Sequence, residues 1–189
     1  IGNYQFYGFD HITNITISES VKEIGDYAFC STFISSIRIP KSVMNIGHSL
    51  FKNCVALTSI IVDEDNPIYD SRDNCNAIIE TSTNTLIVGY GATVIPSSVE
   101  IIGDYAFEGY YNYDISCSII IPEGVRIIGN CAFIGSGLEV ITIPSSVKSI
   151  GGGAFTGCGR LGTVYYNGTI EDWCSVEFSD SSSNPMCYG

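Results

Sequence analysis

Apolar and polar positions along this chain alternate within a box that returns every 22 or 23 residues over most of the sequence. The cleanest copy is Ile37-Arg38-Ile39-Pro40-Lys41-Ser42-Val43-Met44-Asn45-Ile46-Gly47-His48-Ser49-Leu50-Phe51-Lys52-Asn53-Cys54-Val55-Ala56-Leu57. Its skeleton reads I-x-I-P-x-S-V-x-x-I-G-x-x-A-F-x-x-C-x-x-L. An Ile-Gly pair stands at Ile1-Gly2, Ile24-Gly25, Ile46-Gly47, Ile102-Gly103, Ile128-Gly129 and Ile150-Gly151. Phe6, Phe29, Phe51, Phe107, Phe133 and Phe155 each follow five residues after the Ile, with one long step of 56 residues and one of 26. Self-similarity at such a period is the signature of a stacked-repeat solenoid. One unit holds too few apolar residues for a core, so stability must come from stacking each on its neighbours.

The elements follow from the pattern. I-x-I alternates a β-branched inward position with an outward one, which predicts a short strand in each coil. Identical strands in successive coils run parallel and predict a β ribbon along one face. Pro ends the strand because it cannot donate to the ladder, and Gly marks a corner where a missing Cβ is useful. The stretch x-x-A-F-x-x-C-x-x-L has spacing compatible with one or two helical turns on the other face. The expected fold class is an α/β solenoid, with short helical turns and extended segments opposite the parallel ribbon.

Along the chain, residues 1–14 read as the tail of a preceding coil, and 15–36 and 37–59 as full repeats. Residues 60–92 break the period: Asp63-Glu64-Asp65-Asn66-Pro67 replaces the corner. Two apolar runs, 76–80 and 85–88, then flank the polar turn Thr81-Ser82-Thr83-Asn84, which predicts a β-hairpin insertion. Repeats resume at 93–118, 119–140 and 141–163, and 164–189 forms an irregular terminal coil. There, Thr169 is placed to cap a short helix with acidic residues in its first turn. The chain reads as a single solenoid and a fragment of a longer protein, since it opens inside a repeat.

Composition narrows the partners. Twenty acidic against eight basic residues give a net charge of −12, which argues against nucleic acid and against an anionic membrane surface. No apolar run approaches the roughly 18 residues of a membrane span. The eight Cys suit a disulfide framework by number, but Cys54 and Cys158 share one column several coils apart. With coils stacked roughly 4.8 Å apart these two are too distant to bridge. Buried thiols are the favoured reading, one or two incidental disulfides the alternative.

Little points to chemistry. The two His, His11 and His48, have no visible triad partners, and no C-x-x-C offers a zinc site, so neither an enzyme nor a cofactor is expected. Asp63, Glu64, Asp65, Asp70 and Asp73 crowd eleven residues, but without the Gly and terminal Glu of an EF-hand loop. They read as a solvated acidic turn partly neutralised by Arg72. Asn14-Ile15-Thr16 and Asn167-Gly168-Thr169 fit the glycosylation sequon, and read equally as turn residues. A bulge carries Tyr110, Tyr111 and Tyr113, either an edge contact patch or a cover for its own coil.

The box, the interrupted stretch from Asn66-Pro67-Ile68-Tyr69 to Thr83-Asn84-Thr85-Leu86, and Tyr165-Tyr166-Asn167-Gly168-Thr169-Ile170-Glu171-Asp172-Trp173 together resemble the BspA-like (type-5) leucine-rich repeat. Gln5, Ser49-Leu50, Gly124 and Cys131 depart from its consensus. The resemblance implies an extracellular or cell-surface protein associated with adhesion to host matrix, host cells or other microbes. It carries no catalytic or ligand motif to transfer. The residues themselves point to the outward position of each strand as the binding face: Thr16, Arg38, Ile61, Val94, Ile120, Thr142 and Tyr165. Sheet-face residues line an extended surface, and three adjacent aliphatics in the row suit a protein contact. The hairpin covering the row is the competing arrangement. The expected partner is a protein or glycan ligand, and the alternative is a stiff spacer whose ligand sites lie outside this chain.

Overall fold

Each box supplies two β-prone alternations, one at I-x-I and a shorter one ending at the Ile before Gly, and both become strands in most coils. The computed structural model describes residues 1–109 and 117–187. In chain order the elements are β1 (Glu23–Ile24), β2 (Ser36–Ile39), β3 (Asn45–Ile46), β4 (Ser59–Val62), β5 (Tyr69–Asp70), β6 (Ile78–Glu80), β7 (Thr85–Val88), β8 (Ile101–Ile102), β9 (Cys117–Ile120), β10 (Ile127–Ile128), β11 (Leu138–Ile143), β12 (Ser149–Ile150), β13 (Thr163–Tyr166), α1 (Ile170–Cys174) and β14 (Glu177–Phe178). They build a β-solenoid of about six stacked coils with little helix.

The I-x-I strands form the expected parallel ribbon, but in two pieces. β2 pairs with β4, and β9, β11 and β13 form a three-stranded sheet. Between the pieces the coil is interrupted, and residues 93–96 form no strand. The x-I strands form a second parallel ribbon that the box does not announce. It runs β14-β12-β10-β8-β7 in parallel and ends in the antiparallel strands β6 and β5, with β1–β3 as a separate parallel pair. The expected hairpin is β6–β7, paired antiparallel. It joins this second ribbon through the parallel pair β7–β8, and so does not cover the first.

The helical turns expected around A-F-x-x-C are not helices. Each is a run of turns carrying two left-handed residues four apart: Tyr27 and Ser31, Ser49 and Asn53, Tyr105 and Gly109, Cys131 and Gly135. These reset the backbone so that alternate N–H groups point along the stack. Tyr27 donates to the His48 carbonyl at 3.0 Å, Phe29 to Leu50 at 3.2 Å and Ser31 to Lys52 at 2.8 Å. The pattern recurs from Cys131, Phe133 and Gly135 to Gly152, Ala154 and Thr156. Bonding to the next coil, rather than four residues back, satisfies the backbone on all three sides. Spacing alone could not separate this from helix, because both drop Ala and Phe inward.

Stacking also explains the Gly column. A Cβ on Gly47 would lie 2.5 Å from the Asp26 backbone nitrogen, and one on Gly151 2.5 Å from that of Asn130. Close approach of the preceding coil, not a left-handed backbone, excludes a side chain there. The residue after Gly exploits the same proximity. Asp26 N–H donates to Asn3 Oδ1 at 2.9 Å, His48 N–H to Asp26 Oδ1 at 2.8 Å, Asn130 N–H to Asp104 Oδ1 at 2.7 Å and Gly152 N–H to Asn130 Oδ1 at 2.8 Å.

Inside, the Phe column stacks face to face: Phe6–Phe29 at 5.5 Å, Phe29–Phe51 at 5.9 Å, Phe107–Phe133 at 5.1 Å and Phe133–Phe155 at 5.3 Å between centroids. Burying each Phe contributes about 1.5–3 kcal/mol, and each aromatic pair about 0.5–1.5 more. The Cys column is polar in function as well as small. Cys54 Sγ donates to the Phe29 carbonyl and Cys158 Sγ to that of Phe133, each at 3.0 Å. Thr32 and Ser136 occupy the same column and contact these sulfurs at 3.4 Å.

Candidate functional site

The outward row is assembled by register. Arg38 lies opposite Ile61 across β2–β4, and Ile120, Thr142 and Tyr165 stand side by side across β9, β11 and β13. Inward neighbours anchor each strand: Ile37, Ile39, Ile60, Ile119, Ile141 and Ile143 are buried, so the alternating position must face solvent. Val94 is 74% exposed, Ile120 71%, Tyr165 58% and Ile61 47%. Thr16 and Arg38 are exposed and Thr142 half-buried. Thr16 and Val94 sit outside any strand, so five of the seven residues form two strand-borne groups, Arg38 with Ile61 and Ile120 with Thr142 and Tyr165, with Val94 on the irregular segment between them and Thr16 ahead of the first.

The two groups differ electrostatically. Arg38 is committed to Asp63 at 2.6 Å, on the acidic turn. The Asp65 backbone N–H, and then Arg38, hold the Asp63 carboxyl below its usual range. The C-terminal group presents Ser118, Ile120, Val140, Thr142, Thr163 and Tyr165 on its outward positions, an uncharged surface on a chain of net charge −12.

The acidic run does not converge. Asp63 pairs with Arg38 and Asp65 with Lys41 at 3.7 Å, whereas Asp70 pairs with Arg72 at 2.5 Å and accepts from Thr81 at 2.8 Å. Among the described residues no group of three His, Cys, Asp or Glu is placed to hold a metal ion. His11 lies beside Asp10, and His48 rests against the Tyr105 ring at 5.6 Å on another coil. Tyr110, Tyr111 and Tyr113 lie outside the described residues. Asn14 and Asn167, the first residues of the two sequons, are exposed.

One feature next to the row escapes the box pattern. α1 begins with a capping box: Asp172 N–H donates to Thr169 Oγ1 at 3.1 Å and Thr169 N–H to Asp172 Oδ2 at 3.0 Å. It sets Trp173 edge-on to Tyr166 at 4.9 Å and to Phe178 at 5.3 Å. Tyr166, Gly168, Thr169, Ile170, Trp173 and Met186 line a cleft of about 290 Å³. The Tyr166 hydroxyl is buried with no hydrogen-bond partner among the described residues, and Ile170 is 79% exposed. The irregular T-I-E-D-W stretch signals a helix here, but not the cleft.

Comparison with known proteins agrees with this architecture. Six copies of the BspA type leucine-rich repeat region match residues 1–85 and 90–185. A leucine-rich repeat protein from Eubacterium ventriosum is similar at 29% identity over 87% of this chain and 44% of its own, with a TM-score of 0.72. The pneumococcal vaccine antigen PcpA is similar in fold, with 19% identity over 97% of this chain and 55% of its own and a TM-score of 0.69. The chain thus spans about half the length of the solved structures it matches. No curated protein sequence matches it. With the repeat matched across nearly its whole length, the chain belongs to the BspA-type leucine-rich-repeat family.

Proposed function

We propose that this chain is a non-catalytic binding module of a cell-surface or secreted adhesin, presenting its outward strand row to a protein or glycan ligand. The observation that carries the reading is the exposed row itself: Ile120 and Tyr165 on the first ribbon, and Val94 on the irregular segment before them, are all more than half exposed. Exposed apolar side chains in line along a sheet face mark a contact surface, and a partner protein best matches aliphatics such as Ile120. No helix among the described residues is long and apolar enough to cross a membrane. Surface placement rests on family membership, and PcpA, a pneumococcal vaccine antigen, shares the fold.

The test is capture by the immobilised chain of matrix proteins, mucins and whole microbial cells. Binding to one of them, lost in Ile61→Asp or Tyr165→Asp with thermal unfolding unchanged, supports the module. If none of them binds, the solenoid is a stiff spacer and the proposal fails.

A further inference from the structure

The stack is not uniform along its length, and several independent features break at the same level. Both ribbons are discontinuous there: the first between β4 and β9, the second between β3 and the hairpin. The Phe stack runs from Phe6 to Phe51 and again from Phe107 to Phe155. Between the two runs lies Gly89, where a Cβ would meet the Phe107 ring at 2.4 Å. The buried apolar residues fall into two clusters, one spanning Ile17 to Tyr90 and the other Cys75 to Val176.

Within each stack, adjacent coils share a dense backbone ladder. Across the break, among the described residues, one backbone hydrogen bond links residues 1–62 directly to residues beyond 77: Asn53 N–H to the Gly109 carbonyl at 3.2 Å. Side chains make the rest of the joint. Ile78, Val88 and Tyr90 reach into the N-terminal cluster, while Ala77, Ile79 and Leu86 face the C-terminal one. Glu108, 6% exposed at its side chain, accepts from Lys52 at 2.5 Å and from Ser49. Beside it, a cavity of about 20 Å³ is lined by Leu50, Phe51, Tyr90 and Glu108, and the buried Tyr90 hydroxyl has no hydrogen-bond partner among the described residues.

We propose that the interrupted coil is a built-in hinge, dividing the solenoid into two stacks that open as separate units, with the Lys52–Glu108–Ser49 contact as the latch. Apolar burial without a backbone ladder resists local opening less than a continuous sheet does. Nearest-neighbour coupling in a repeat protein is weakest where the interface is poorest. The hinge separates Arg38 and Ile61 from Ile120, Thr142 and Tyr165, so bending there changes how the two halves of the outward row present themselves.

Native-state hydrogen exchange tests this on the unmodified chain. The Asn53 amide, which crosses the break, exchanges at least about tenfold faster than the Phe29 and Phe133 amides inside the stacks. In Glu108→Gln, exchange at the break and throughout the N-terminal stack accelerates, while Phe133 and Gly135 stay unchanged. Equal protection at Asn53, Phe29 and Phe133 in the unmodified chain overturns the proposal. So does an equal acceleration of all amides in the variant. If the variant does not fold, the unmodified chain alone decides the outcome.

Discussion

At the residue scale, the box positions answer to the coil before or after them more than to their own neighbours in sequence. Gly47 shows this most sharply. Gly47→Ala places a Cβ 2.5 Å from the Asp26 backbone nitrogen, and neither coil can retreat without breaking its ladder. Denaturant unfolding is expected to show a loss of about 1–3 kcal/mol. Gly135, left-handed but with open space around it, loses only about 1 kcal/mol as Gly135→Ala. A reversed order would show that conformation, not close approach, selects the column. The thiols divide by position as well. Burial pushes Cys75 and Cys158 upward, while Cys174 and Cys187 lie exposed near the end of the chain. Iodoacetamide labelling of the folded protein, read by mass spectrometry, should modify Cys174 and Cys187 at least about tenfold faster than Cys75 and Cys158.

At the element scale, the sequence showed the I-x-I strands, the hairpin and the Thr169 cap, because each has a local signature. It did not show the second ribbon, since a two-residue strand ending at Ile24 or Ile150 is too short for any period to register. It misled at the A-F-x-x-C stretch, where turns with left-handed Tyr27 or Cys131 bury the residues a helix would bury. The outward row was legible as alternation. Its division into two groups was not, because that depends on where the interrupted coil goes in space. The cap makes its own prediction. Thr169→Ala removes the Oγ1 arm of the capping box but keeps the backbone N–H arm to Asp172, and should cost about 1 kcal/mol, with Trp173 fluorescence reporting loosening around Tyr166. Unaltered stability and emission would mean that core packing alone holds α1.

At the scale of the whole molecule, a chain of net charge −12 spends several of its few cations on internal ties: Arg38, Lys52, Arg72 and Arg160 all pair with carboxylates. These ties give acid sensitivity a definite sign. Burial alone would raise the Asp70 carboxyl, but its bonds from Arg72 and Thr81 outweigh that and hold it low. A depressed carboxylate stabilises the fold above the unfolded value, near pH 4, and that contribution disappears as pH falls through the folded value. Relief of charge repulsion opposes the trend, so the comparison must be internal. Asp70→Asn should be less stable than the parent at neutral pH, with the gap closing below about pH 4. A gap independent of pH would remove Asp70 ionisation from the account.

The central claim is that the repeated letters are scaffold and that recognition belongs to the outward row on the first ribbon. The most direct measurement is the Kd for whichever ligand the immobilised chain captures, compared among the parent, Ile120→Asp and Ile127→Asp. Both changes add one charge at an exposed isoleucine, 71% and 41% accessible, but Ile127 lies on the second ribbon. The account predicts a loss of at least about tenfold for Ile120→Asp and nearly parental affinity for Ile127→Asp. Equal losses, or a loss confined to Ile127→Asp, would contradict it.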